Sequence, residues 1–168
     1  MTTSPDIRLL TPADAPAYRD IRLDGLKQAP QAFSSTFERE EAMPLAWFEE
    51  RIVKGNVFGA LVAGELLGVV GYWPQEGAKE SHKATLWGMY VRPEGRNAGL
   101  GRGLIEAVAS HASGHVEQLL LRVVSENETA LRLYRNTGFA EYGREMKALK
   151  QDGRYFDEIL MVRFLAGG

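Results

Sequence analysis

The chain has 168 residues and a formal net charge of -2, with 45% hydrophobic and 25% charged residues. That balance suits one globular domain with a sizeable core, and it argues against a nucleic-acid footprint, which needs a concentrated basic surface. There are no cysteines, so disulfides, thiolate metal ligands and a cysteine nucleophile are excluded. No apolar run approaches the roughly 20 residues of a membrane span. The N-terminus shows neither a basic nor an apolar leader region, so the expected location is the cytoplasm.

A short first strand is expected over residues 7–10. Thr11-Pro12-Ala13-Asp14 then reads as a helix start, with Thr11 as cap and Pro12 at the first helical position. Ala17, Ile21 and Gly25 fall four apart with Tyr18 beside them, which predicts one packing face. The pattern fades by Ala29-Pro30, and residues 33–37 (F-S-S-T-F) have no clean period and are expected as a loop. Pro44 opens a second short helix with Leu45, Phe48 and Ile52 on one face. Residues 57–63 and 66–73 flank Gly64-Glu65, expected as a two-residue hairpin turn. A polar loop leads to a third strand over residues 84–91. Leu100, Leu104, Ile105 and Val108 then mark a helix that Ser113-Gly114 breaks. The dense apolar run 118–124 reads as a buried strand, and a strand–helix–strand crossover makes a right-handed parallel pair the default. Ser125-Glu126-Asn127-Glu128 has capping-box spacing for a helix through Tyr134 that stops at Gly138. Residues 142–149 and 154–164 bracket Asp152-Gly153, a hairpin signal. One mixed α/β domain over residues 1–168, without repeat or linker, is the expectation.

Chemistry concentrates where the third strand meets the next helix. Gly95, Gly99, Gly101 and Gly103 punctuate the segment after Pro93. Glycines at a helix start let a ligand approach the backbone, and the unpaired N–H groups with the positive dipole end favour an anion such as phosphate. Arg96 and Arg102 flank the loop as further phosphate partners. The competing reading is a turn whose small residues serve packing alone, although Gly103 inside a helix costs about 1 kcal/mol relative to alanine. A dinucleotide fingerprint from Gly99 would need glycine where Leu104 stands, and no G-K-S or G-K-T supports a Walker loop. Gly88 within the preceding strand marks either a bulge or a tight contact with a helix. Asn127, Ala130 and Tyr134 share one face of their helix, leaving room for a slim ligand; otherwise Asn127 serves the helix start and Tyr134 the core.

Val91-Arg92-Pro93 followed by Arg96-Asn97-Ala98-Gly99-Leu100-Gly101, then Asn127, Ala130, Leu133-Tyr134 and Gly138-Phe139, resemble the two signatures of the GNAT (general N-acetyltransferase) superfamily. The resemblance covers nearly the whole chain. It implies a mostly antiparallel, mixed twisted sheet of about seven strands with about four helices, in the order β-α-α-β-β-β-α-β-α-β-β. It also implies acetyl-CoA as co-substrate and no metal. The pyrophosphate would lie on Arg96, Asn97, Ala98, Gly99, Leu100, Gly101, Arg102 and Gly103, and the pantetheine arm along Met89, Tyr90 and Val91. Asn127, Ala130 and Tyr134 would form the other wall. The loop departs slightly from the family pattern, with Asn97 where glycine is common. The acceptor, a small-molecule amine or a peptide or protein amine, would sit near Phe33, Ser34, Trp87, Tyr155 and Asp157; the acidic residues Glu38, Glu40, Glu41, Asp152, Asp157 and Glu158 would either favour a cation there or, as such charges more often do, form a solvated face. A homodimer fits the family.

The implied reaction is direct attack of a primary amine on the thioester, both substrates bound together. The Met89 backbone N–H would hold the oxyanion and Tyr134 would protonate the departing thiolate. A lysine-like amine costs on the order of 4.6 kcal/mol to deprotonate at pH 7, so a base is needed. Several family members place a glutamate on the central strands; here Trp87 and Met89 stand there. His82, Glu126, Asp157 and a water relay remain alternatives. His111 and His115 have no evident third ligand. The alternative function is a non-catalytic acyl-CoA sensor or interaction module of the same fold.

Overall fold

The computed structural model describes residues 3–165. Its strands are β1 (Asp6–Leu9), β2 (Phe58–Val62), β3 (Glu65–Pro74), β4 (Lys83–Val91), β5 (Gln118–Val124), β6 (Ala140–Gln151) and β7 (Arg154–Phe164). Its helices are α1 (Ala15–Gln28), α2 (Phe37–Glu41), α3 (Leu45–Lys54), α4 (Leu100–Ala112) and α5 (Glu128–Asn136). Among the described residues the strands form one sheet in the order β1-β2-β3-β4-β5-β7-β6. All neighbours run antiparallel except β4 and β5.

Alternation along the strands feeds two cores, because successive side chains leave opposite faces. Leu67, Val70 and Tyr72 of β3 join Leu104, Ile105 and Val108 of α4 on one face. Leu66 and Val69 join Tyr18 and Ile21 of α1 and Phe48 and Ile52 of α3 on the other.

Several expectations shift. The expected loop over residues 33–37 ends in α2, whose cap Thr36 accepts a hydrogen bond from the Arg39 N–H; five residues are too few to show a period, so there are five α-helices rather than about four. The first hairpin turns on Ala63 and Gly64, since Val62 pairs with Glu65. Both turn residues have positive φ, 51° and 81°, as a type I′ turn requires. The second hairpin turns on Asp152-Gly153 as expected, with φ of 51° and 78°. Ala17 is exposed, and α1 instead buries Tyr18, Ile21, Arg22, Gly25 and Leu26. Leu45 is also exposed, leaving Phe48 and Ile52 as the buried face of α3. The cap of α5 is Asn127, not Ser125; its side-chain oxygen accepts from the Ala130 N–H at 3.2 Å.

Candidate active site

Two local events open a cleft at the centre of the sheet. First, β4 and β5 pair only from Lys83–Gln118 to Thr85–Leu120, while β5 keeps pairing with β7 as far as Val124–Glu158. The C-terminal half of β4 therefore parts from β5. Second, Trp87 pairs with Gly71 and Tyr90 with Val69, so Gly88 and Met89 face the single residue Val70. Gly88 adopts φ +66°. This is a β-bulge with glycine in the left-handed region, and a bulge releases backbone groups from the ladder.

The resulting cleft, about 960 Å³, is lined by Met89, Tyr90 and Val91 on one side and by Val124, Glu126, Asn127, Ala130 and Leu133 on the other. Its floor is Gly95, Arg96, Asn97, Gly99, Leu100, Gly101 and Arg102. Gly99 caps α4 with φ +75°. The first bond back to the cap runs from the Gly103 N–H to the Gly99 carbonyl at 3.0 Å. The N–H groups of Leu100, Gly101 and Arg102 therefore precede the first helical bond and have no helical acceptor, and all three residues line the cleft. Unpaired N–H groups at the positive end of a helix could cradle an anion.

The glycines divide their roles. A Cβ on Gly103 would lie 2.5 Å from Ile7 Cδ1, and Gly103 does not line the cleft. Its smallness lets α4 seat against β1, the packing alternative for that position. Ala98 is exposed and also outside the lining. Arg96 donates from Nε to the Val91 carbonyl at 3.2 Å, and Arg102 to the Asn136 carbonyl at 3.0 Å. Both side chains are thereby tied to the elements that frame the cleft.

Tyr134 is not in the cleft lining, although Ala130 and Leu133 of the same helix are; it is buried against Phe139 in an edge-on contact at 5.8 Å. Burial raises its pKa, so the phenol stays protonated and is a donor rather than a base. Of the three candidate bases, only Glu126 borders the cleft, where it pairs with Arg154. His82 precedes β4 at its far end; seven residues separate it from Met89, roughly 23 Å along a strand. Asp157 is engaged by the Lys147 N–H and the Arg144 guanidinium, which hold its carboxyl below the usual range and weaken it as a base.

A second cleft of about 510 Å³ adjoins the first through Gln31, Phe33, Gln151 and Phe156. It lies between the end of α1, the start of α2 and the β6–β7 hairpin, and it includes Phe33 and Ser34. Tyr155 and Trp87 are not in its lining. Tyr155 is exposed beneath Lys147 and Lys150, whose Nζ atoms lie 4.9 and 5.1 Å from its ring. Trp87 stacks on Trp73 at 4.4 Å. Of the acidic residues expected there, Glu38 lines the second cleft beside Lys27 and Lys150, while Glu40 is buried against Arg22 and Asp157 is held by Arg144. Sequence reasoning missed Gln31, Leu133 and Arg154, because their place in the clefts depends on how distant segments meet.

No group of three or more His, Asp or Glu side chains among the described residues is placed to hold a metal. No helix among them is long and apolar enough to cross a membrane.

Comparison with known proteins agrees with this fold. An L-methionine sulfoximine/L-methionine sulfone acetyltransferase of Pseudomonas aeruginosa is 28% identical over 164 residues, covering 94% of this chain and 93% of its own. A GNAT-family acetyltransferase of Streptococcus pneumoniae superposes with a TM-score of 0.85 at 20% identity, over 97% of this chain and 100% of that one. A ribosomal-protein-alanine N-acetyltransferase of Brucella melitensis gives 0.79 at 26%, over 95% and 99%. The sequence model of one family, described as Acetyltransferase (GNAT) family, matches residues 23–139, well over half of the chain. By that match the chain belongs to the GNAT family of acetyltransferases.

Proposed function

We propose that this acetyltransferase moves an acetyl group from acetyl-CoA to a primary amine, with both substrates bound at the β4–β5 cleft. One observation carries the reading: the unpaired N–H groups of Leu100, Gly101 and Arg102 open onto the same cleft as the freed edge of β4 at Met89, Tyr90 and Val91. The cradle suits a pyrophosphate and the strand edge suits an amide-bearing arm, so the residues present fit the donor. Acetyl-CoA supplies the acetyl group already activated as a thioester. Arg96 and Arg102 add charge beside the cradle, and Asn127 and Ala130 close the opposite wall.

The chain's own contribution to the transfer is placement and polarisation. The Met89 N–H, at the bulge, donates to the acyl oxygen as charge gathers there. Tyr134, protonated, donates to the departing sulfur, and the proton that the attacking nitrogen sheds passes to Glu126 at the cleft edge or to water. The chain has no cysteine, so the acetyl group does not rest on an enzyme thiol and the amine attacks directly. The similar proteins take acceptors as different as an amino-acid derivative and the alanine of a ribosomal protein, and the reading here is accordingly a primary amine.

Thiol release from acetyl-CoA against a broad amine panel tests this. Acetylated product in step with thiol is expected, and Tyr134→Phe should lower turnover at saturating acetyl-CoA by about 100-fold or more. Tight donor binding without turnover on any amine would overturn the reading; unchanged turnover in Tyr134→Phe would remove that residue's role alone.

A further inference from the structure

All three tryptophans of the chain, Trp47, Trp73 and Trp87, converge on one guanidinium. Arg51 Cζ lies 4.6 Å from the Trp47 ring, 4.7 Å from Trp87 and 5.5 Å from Trp73. The rings come from α3, β3 and β4, and Trp73 and Trp87 are stacked within 8° of parallel. Their faces attract a cation but supply no counter-charge.

A second arginine shares the cluster. Arg22 Cζ lies 5.7 Å from the Trp87 ring and 5.0 Å from Phe33. It is matched: Nε and Nη2 bond both oxygens of Glu40 at 2.9 and 2.8 Å, with the two side chains only 6% and 1% exposed. Burial works to raise the Glu40 pKa, but the Arg22 hydrogen bonds and charge hold it below the usual value, so Glu40 is an anion already committed. Arg51 forms no ion pair among the described residues, and its Nε is buried without a hydrogen-bond partner. Tyr18 beside it has a phenol whose pKa burial raises, so it adds no charge. Two guanidinium groups thus face one carboxylate in a desolvated setting. Arginine stays ionised there, and buried charges are ordinarily paired. The cluster is one anion short.

The cluster is also reachable. Arg51, Trp47 and Trp87 are half-buried and Trp73 is 37% exposed. It abuts the bulge, because Trp87 directly precedes Gly88 and a Cβ on Gly88 would lie 3.4 Å from Arg22 Nη1.

We propose that Arg51 and the three tryptophans around it form an acceptor subsite for a carboxylate, so that the amine acetylated here carries an acid group. The inference rests on the bulge being the point of acetyl transfer. A planar carboxylate matches the guanidinium fork, and Arg51 is itself the cation that the indole faces hold. The subsite separates amino-acid-like acceptors from amines that are purely cationic.

Matched pairs test it: an unbranched ω-amino acid series and common L-amino acids, each against its own carboxamide. With the wild-type protein the acids should exceed their carboxamides in kcat/KM by at least about 10-fold, the scale of a charge-assisted hydrogen bond. Arg51→Met, which keeps the stem between the rings, should erase that preference through KM, while Arg51→Lys keeps part of it. A second readout needs no turnover. In CoA-saturated protein, the acid should change tryptophan fluorescence saturably and the carboxamide should not, since every tryptophan lines the subsite. Carboxamides acetylated as well as acids would overturn the carboxylate subsite while leaving acetyl transfer standing. If no amine is acetylated, the transfer reading fails by itself and fluorescence decides the subsite: equal responses to acid and carboxamide overturn it, and an acid-specific response sustains it. Should Arg51→Met not fold, the wild-type acid-to-carboxamide ratio alone decides.

Discussion

Two residues apart on α4, glycine serves two different ends. Gly101 lines the cleft and leaves its N–H free, and a Cβ there would meet only the movable tip of Leu133 at 3.0 Å. Gly103 faces away, where a Cβ would meet Ile7 Cδ1 at 2.5 Å. Gly101→Glu puts a carboxylate at the anion cradle, displacing ligand bonds that are each charge-assisted. Acetyl-CoA affinity should fall by on the order of 100-fold. The fold should survive, because glutamate suits a helix N-terminus. Gly103→Leu overfills the α4–β1 contact and should cost about 1–3 kcal/mol of stability, with affinity unchanged. Titration calorimetry beside thermal unfolding separates the two. If Gly103→Leu weakened binding without loss of stability, the division of roles would be wrong. The spacing of these glycines marks the cradle, but nothing in it distinguishes the one that faces Ile7.

At the scale of elements, the bulge in β4 links backbone strain to placement of the reacting groups. Gly88 holds φ +66°, and a Cβ added there would make only an ordinary 3.4 Å contact with Arg22. The penalty for a side chain is therefore conformational, roughly 1–2 kcal/mol, or a fall in Tm of about 2–8 °C for a chain of this size. Gly88→Ala relieves that strain most readily by flattening the bulge, which moves the Met89 N–H and Trp87 together. Turnover should drop more than acetyl-CoA affinity does; lowered Tm with unchanged turnover would detach the bulge from the chemistry. A glycine inside a strand pattern announces such a bulge in advance, as the apolar run of β5 announces its bounds, Gln118 to Val124. Short or two-faced elements announce less. The five residues of α2 carry no period. Ala63 in the first hairpin turn bears a positive φ that its identity does not advertise. The buried face of α1 includes Arg22, which a search for apolar spacing passes over in favour of the exposed Ala17.

Across the whole molecule, the cleft opens where the sheet stops being a sheet. Seven strands hold two cores apart, and at the middle the one parallel pair lets go after three residue pairs, while β7 sits between β5 and β6 to carry the far half. The segments that meet at the opening lie far apart in the chain: the β4 edge, the start of α4, the start of α5 and the residues after α1. Local spacing makes each legible and their meeting only by resemblance. The Arg51 cluster is not legible at all, since it needs α3, β3 and β4 brought together before one guanidinium is seen to lack an anion. We propose that donor recognition is made by backbone on both sides of this opening. Amide hydrogen exchange with and without acetyl-CoA tests it most directly. The amides of Met89, Val91, Leu100, Gly101 and Arg102 should slow markedly on saturation while the outer strands β1 and β6 stay unchanged. Tight binding that leaves these five amides exchanging as before would contradict it.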